Sequence, residues 1–377
     1  MQIVLPSPHG AKYHTRSALT LWWDMLGSIL KKLFDPAGST KSGPAAFEAG
    51  IAAYSESDHA AAARHFDAAV AAAPRNAEAL YYASLVAYKT GLYPKALGLI
   101  ERACALDPAN GEYRYHAGAV HWMLGDAVAA RTCAEKALQR SPSLALAYHL
   151  MAEIDLPGTR YLDLLPAIHA QLRPRTYIEI GVSVGNAIAR VRPETLAIGI
   201  DPSPHIRVPL GTRTTIHTCT SDEYFATHDV ESELDGLPLD LAFIDGMHHF
   251  EFALRDFIQI EKLCTPQSTI LIHDCYPFDR YTAERERHTG FWSGDIWKLV
   301  LLLKKYRPDL RIDTVATAPS GLGVVRGLDP SSRVLEQNLE AVVAEFMDLD
   351  FAVLDRDKAG MLNLYPNDWE KIQQILQ

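Results

Sequence analysis

A period of 34 residues constrains this chain more than any other feature. The windows Gly43–Asn76, Ala77–Asn110 and Gly111–Leu144 lie end to end, and their small residues coincide. The eighth position reads Gly50, Ser84 and Gly118, and the twentieth reads Ala62, Ala96 and Ala130. The twenty-seventh is Ala69, Ala103 and Ala137, and the thirty-second is Pro74, Pro108 and Pro142. Small residues at fixed places let two helices approach closely, and a proline stops the second of them. Each window therefore reads as a packed helix pair.

This spacing resembles the tetratricopeptide-repeat family over about 100 residues. Ala145–Ile154 starts like another first helix until Pro157-Gly158 stops it, and it would cap the array. The resemblance implies a concave surface that binds a peptide or a partner protein. A dimerisation module (hence a homo-oligomer) or a plain spacer stays open.

The length, 377 residues, suits two or three domains. The boundaries expected are 1–42, an N-terminal segment; 43–158, the repeats; 159–330, a second domain; and 331–377, a helix and tail. That tail either completes the second domain or packs on the repeats. A net charge of −10 argues against a general nucleic-acid binder, which needs a basic surface. The five cysteines are scattered with no CxxC pair, which fits a reducing compartment and a cytoplasmic protein. Ser17–Phe34 carries apolar residues at helical spacing, interrupted by Asp24. It is too short to span a bilayer and has no clean cleavage site. It reads as a helix packed on a neighbour, with membrane-surface contact as the alternative.

From Arg160 the texture changes. A helix over Tyr161–Leu172 precedes short strand-like runs at Thr176–Ile180, Leu196–Ile200, Thr214–Thr218, Leu239–Ile244 and Ser268–Ile272. Helical stretches are expected from Asn186, over Phe250–Leu263 and over Gly294–Tyr306. The alternation implies a parallel sheet with helices on both faces. Arg311–Thr317 and Leu322–Arg326 are joined too closely for a crossover, so they form a hairpin and the last strand is antiparallel. This α/β pattern resembles the class I methyltransferase fold, a Rossmann-like seven-stranded sheet that uses S-adenosylmethionine.

Ligands of open α/β sheets bind beyond the carboxyl ends of the strands, and each end here carries polar residues. The first gives Glu179, Gly181, Ser183 and Gly185, without the G-x-G-x-x-G spacing of a dinucleotide site. The resemblance makes this the cofactor loop, with Glu179 positioning the charged amino-acid part. Asp201 ends the second strand and can accept hydrogen bonds from two ribose hydroxyls. Ser221 or Asp222 would cap the next helix, and in the resembling family Thr220–Asp222 contacts adenine.

The fourth strand ends at Asp245, followed by His248 and His249; the fifth ends in His273-Asp274. Adjacent strands would set Asp245 and Asp274 across one crevice, where two carboxylates repel unless a proton or cation intervenes. This is similar to the metal-dependent small-molecule and sugar O-methyltransferases. The resemblance implies a divalent metal, Mg or another, on Asp245, His273 and Asp274. It also makes Asp245 catalytic and cofactor-binding, and His248 the general base. Imidazole suits Mg poorly, and the fifth-strand pair departs from the acidic pair of sugar-modifying relatives. His249 reads equally as a helix-start residue. In the long loop after Cys275, Trp292, Asp295 and Trp297 either shape an acceptor pocket or serve packing and the helix start at Ser293.

The expected activity is methylation of a hydroxyl on a sugar-bearing or polyhydroxyl small molecule or glycan. The rivals are a binding protein with a non-catalytic second domain, and a protein methyltransferase recruited through the repeats.

Overall fold

The computed structural model describes residues 44–377. The expected helix over Ser17–Phe34 lies outside them. The chain divides into two compact units between Leu150 and Met151.

The first unit is helical throughout: α1 (Pro44–Ser55), α2 (His59–Ala72), α3 (Ala77–Lys89), α4 (Tyr93–Leu106), α5 (Gly111–Met123), α6 (Ala127–Arg140) and the start of α7 (Ala145–Asp155). Four of these starts are capped by an acid or amide side chain. Asp58, Asn76, Asn110 and Asp126 each accept from the backbone N–H three residues on. The eighth-position residues sit where paired helices touch. A Cβ on Gly50 would meet the Phe66 ring at 2.6 Å, and one on Gly118 would meet the Ala130 carbonyl at 2.9 Å. In the middle repeat, the Ser84 hydroxyl donates to the Ala96 carbonyl at 2.8 Å. Ala62, Ala96 and Ala130 are wholly buried.

The second unit opens with α8 (Tyr161–Leu172) and then runs β1 (Thr176–Ile180), β2 (Leu196–Ile200), β3 (Thr214–His217), α9 (Ser221–Thr227), α10 (Val230–Glu233) and β4 (Leu239–Ile244). It continues with α11 (Phe250–Leu263), β5 (Cys264–His273), α12 (Arg280–Ala283), α13 (Trp297–Tyr306), β6 (Arg311–Val315) and β7 (Leu322–Arg326). An eighth strand, β8 (Leu364–Tyr365), adds to β6. The sheet order is β3-β2-β1-β4-β5-β7-β6-β8, with β1 to β5 parallel and β7 antiparallel to both neighbours. The parallel sheet and its antiparallel hairpin strand are as expected. The residues after 331 complete this unit: Leu335, Val342, Phe346 and Leu354 join the core on one face, and Ile372 and Ile375 join the other.

Strand side chains alternate between the two faces. Ile178 and Ile180 face the cluster under α11 and α13, while Tyr177 faces the cluster under α8. One expected helix does not form. Between β1 and β2 there is only a 3-10 turn, Ile188–Arg190, because Pro193 follows too soon for a longer helix.

Candidate active site

β4 and β5 are parallel neighbours with Ile244 opposite Ile272, so Asp245 and His273-Asp274 leave the sheet side by side. Asp274 adopts a left-handed conformation, φ 61°, which aspartate tolerates better than most residues. The Ser320 hydroxyl donates to its Oδ1 at 2.5 Å. His273 Nδ1 lies 3.0 Å from Asp245 Oδ1 and 3.2 Å from Asp274 Oδ2, so it is shared between the carboxylates. The Tyr161 ring covers this imidazole at 4.1 Å. Burial disfavours a charge on His273, but Asp245 and Asp274 outweigh it and hold its pKa well above the usual range. Burial alone would raise the Asp274 carboxyl; His248, His273 and Ser320 more than offset that and bring it down to about 2.

His248 is oriented from behind. Its Nδ1 donates to the Trp292 carbonyl at 2.9 Å, and its ring stacks on Trp292 at 5.0 Å and 14°. A neutral imidazole that carries its hydrogen on Nδ1 presents a lone pair at Nε2. That Nε2 lies 3.2 Å from Asp274 Oδ2. Two acceptors this close call for a proton or a cation between them.

Glycines fix the backbone beneath. Gly181 has φ 89°, and a Cβ there would sit 2.0 Å from the Asp245 carbonyl oxygen. Gly294 has φ 61°, and its Cβ would sit 1.9 Å from the His248 carbonyl oxygen. No other residue type fits either position without moving the segment that carries Asp245 and His248.

The loop before α13 braces the start of α11. Asp295 is fully buried; its Oδ1 accepts from the Phe250 N–H at 2.9 Å, and its Oδ2 pairs with Arg285 at 2.9 Å. It therefore caps α11, a helix 45 residues earlier in the chain. Ser293 does not start a helix: its hydroxyl donates to the Thr282 carbonyl at 2.8 Å, and α13 begins at Trp297. Trp297 is buried in the core. His249 is held by Arg285, with Nε2 donating to its carbonyl at 3.0 Å and Nδ1 facing its guanidinium at 3.3 Å.

An open cleft of about 660 Å³ runs from this cluster across the ends of β1 and β2 to α9. Gly181, Ser183 and Asp201 line its middle. Asp201 accepts the backbone N–H of Ser183 at one oxygen and of Ser203 at the other, each at 2.7 Å. A carboxylate has further lone pairs to offer. At the far end Thr220 caps α9, with a capping box to Glu223, in place of the expected Ser221 or Asp222. Asp222 lines the cleft and is gripped by Arg255 at 2.7 Å.

Residues 178–275 match a methyltransferase-domain family model, and residues 47–110 and 93–145 match a tetratricopeptide-repeat model. This chain carries tetratricopeptide repeats and a methyltransferase domain. No curated protein matches it. Among solved structures, part of the chain is similar to the first tetratricopeptide domain of Spaghetti (RPAP3) bound to an HSP90 peptide. The identity is 16% over 31% of this chain and 92% of that one, with a TM-score of 0.30. MamA from Desulfovibrio magneticus RS-1 is similar at 21% identity over 30% of this chain and 65% of that one, TM-score 0.30. The Arabidopsis OM64 domain is similar at 18% identity over 30% and 93%, TM-score 0.29.

The methyltransferase domain brings Asp245, His248, His273 and Asp274 together, with Gly181, Ser183, Asp201, Ser221 and Asp222 along the same cleft. Two anticipated residues do not line it. Glu179 is buried and accepts from the Tyr177 hydroxyl at 2.6 Å. Its side chain shares a strand face with Tyr177, the face packed by α8. Gly185, φ 86°, packs under Ile206 and Val208. Sequence reading missed Ser320 and Asp256. Asp256 is a buried cleft-lining acid that burial pushes up to about 7. Its signal was an acid among the buried positions of amphipathic α11, one turn after Phe252.

Methyltransferase families of this kind imply S-adenosylmethionine, and the cleft fits it: open glycine backbone at Gly181 beside an acid, Asp201, with accepting capacity left. A divalent ion fits as well. Asp245, His248 and Asp274 each offer a donor atom, all within 4.8 Å of one another. His273 differs from the expected ligand role, since its Nδ1 is already shared by the two carboxylates and its Nε2 is buried without a hydrogen-bond partner.

Proposed function

We propose that the methyltransferase domain methylates a hydroxyl of a sugar-bearing or other polyhydroxyl small molecule or glycan. The observation that carries this reading is His248 Nε2, directed at Asp274 by the Trp292 carbonyl on its other nitrogen. S-adenosylmethionine, when bound, supplies a methyl group on a positively charged sulfur. Asp201 would hold ribose hydroxyls, and Ser221 and Asp222 would face the adenine. His248 Nε2 would take the proton of the acceptor hydroxyl, and the imidazolium so formed would be stabilised by Asp274 at 3.2 Å. His273 would hold Asp245 and Asp274 in place. A divalent ion held by Asp245 and Asp274 would lower the hydroxyl's pKa and orient it, leaving His248 Nε2 free to take the proton. With carboxylate oxygens as its protein ligands, Mg or Mn suits this pair.

Calorimetry with S-adenosylmethionine tests the cofactor half. Binding to the full chain, weakened at least tenfold in Asp201→Ala, is expected; no measurable binding sinks the enzyme reading. Tetratricopeptide repeats commonly bind peptides or proteins, so a polypeptide acceptor is the second reading. Labelled cofactor with a cell extract separates them by whether label enters protein or small molecules. Among the described residues no helix is long and apolar enough to cross a membrane.

A further inference from the structure

Behind the far end of the cleft, the segment after β3 gathers three side chains that methyl transfer does not use. His217 is the last residue of β3, His228 follows the last turn of α9, and Glu233 ends α10. Each offers one donor atom, and the three atoms lie within 4.8 Å of one another. All three residues are half-buried, so an ion can reach them from solvent.

Neighbouring groups orient two of the donors. The Thr227 hydroxyl gives its single hydrogen to the Glu223 carbonyl at 2.6 Å. Toward His228 Nδ1, 3.1 Å away, it can therefore only accept. His228 then carries its hydrogen on Nδ1 and keeps a lone pair on Nε2. Tyr224, fully buried, stacks on the His228 ring at 4.7 Å and 26°, and its hydroxyl donates to Glu233 Oε2 at 3.2 Å. His217 Nε2 reaches the same carboxylate at 2.9 Å. This outer layer of hydrogen bonds is the kind that fixes the tautomer and direction of metal-binding side chains.

We infer that His217, His228 and Glu233 form a second cation site, which takes a transition metal of the zinc class. Two imidazoles and one carboxylate are poor ligands for Mg or Ca, which prefer oxygen, and suit Zn, Co or Ni. Three protein donors leave a zinc ion a fourth position for water. The ion ties together the ends of β3, α9 and α10. The N-terminal end of α9 presents Thr220, Ser221 and Asp222 to the cleft, so the site braces the element that forms the cleft's far end.

The test counts Zn²⁺ by equilibrium dialysis of the full chain against micromolar Zn²⁺ with excess Mg²⁺ present. His228→Phe keeps the stacking on Tyr224 but removes the donor, and is expected to lose one equivalent of Zn²⁺. Glu233→Gln keeps shape and is expected to weaken the same equivalent at least tenfold. Asp245→Asn is expected to keep it. The thermal unfolding temperature in Zn²⁺ should rise more for the wild type than for His228→Phe, and should still rise for Asp245→Asn. An unchanged Zn²⁺ count in both folded His228→Phe and Glu233→Gln overturns the site and leaves His217–Glu233 as a hydrogen bond only.

Discussion

The two units use small and polar residues in opposite ways. In the repeats, one job recurs: Gly50, Ser84 and Gly118 all sit at the same kind of helix contact, every 34 residues. In the methyltransferase domain, each strand end does something different: a glycine under a carbonyl, an acid held by two amides, a carboxylate pair around an imidazole. Periodicity therefore reveals architecture and says nothing about chemistry. A set of unlike strand ends reveals chemistry, but only once the strand order is known.

The sharpest way to break this contrast is a methyl group at one glycine of each kind. At Gly181 the added Cβ meets backbone, 2.0 Å from the Asp245 oxygen. Gly181→Ala should abolish methyl transfer and cost well over ~3 kcal/mol. At Gly50 it meets the Phe66 ring, a side chain. Gly50→Ala should cost about 1–3 kcal/mol, the usual range for overpacking. Denaturant unfolding of both variants checks the order, and equal losses would dissolve the distinction.

Next in size is the response to pH, which should differ in sign between one buried group of each unit. Burial lowers the His116 pKa from 6.5 to about 3. Its folded value is depressed, so its contribution to stability is present above pH 6.5 and is lost as pH falls toward 3. Burial raises the Glu179 carboxyl from 4.5 to about 8. Its contribution is full below pH 4.5 and is lost as pH rises through 8. Each slope is at most about 1.4 kcal/mol per pH unit. Glu179→Gln should flatten the loss between about pH 5 and 8, and His116→Gln the loss between about pH 6 and 4, in denaturant unfolding read across that range.

The smallest effect belongs to the surface of the repeats. Lys95 and Asp67 pair at 2.8 Å, but both are about half exposed. Lys95→Ala should change stability by under ~1 kcal/mol and lose even that in salt. A larger change would mean that the repeats depend on charge as well as on close packing.

Much of this was legible in advance. The helix pairs of the repeats, the parallel strands and the Asp245–Asp274 crevice follow from local patterns, because strand ends and helix pairs write themselves into nearby residues. What was illegible depends on partners far away in sequence. Asp295 caps a helix 45 residues earlier, and Ser320 reaches Asp274 across 46. Glu179 does not line the cleft: nearness to the strand end says nothing about which face a residue takes, whereas counting two residues back to Tyr177 does. The missing helix after Gly185 reflects too much weight on alternation and too little on Pro193.

The most direct measurement follows labelled methyl from S-adenosylmethionine into the small molecules of a cell extract, with wild type against His248→Ala. If the strand ends of β4 and β5 form an active site with His248 as its base, label enters a polyhydroxyl compound and the variant is about 10²- to 10⁴-fold slower. No label, or a variant within about tenfold of wild type, contradicts it.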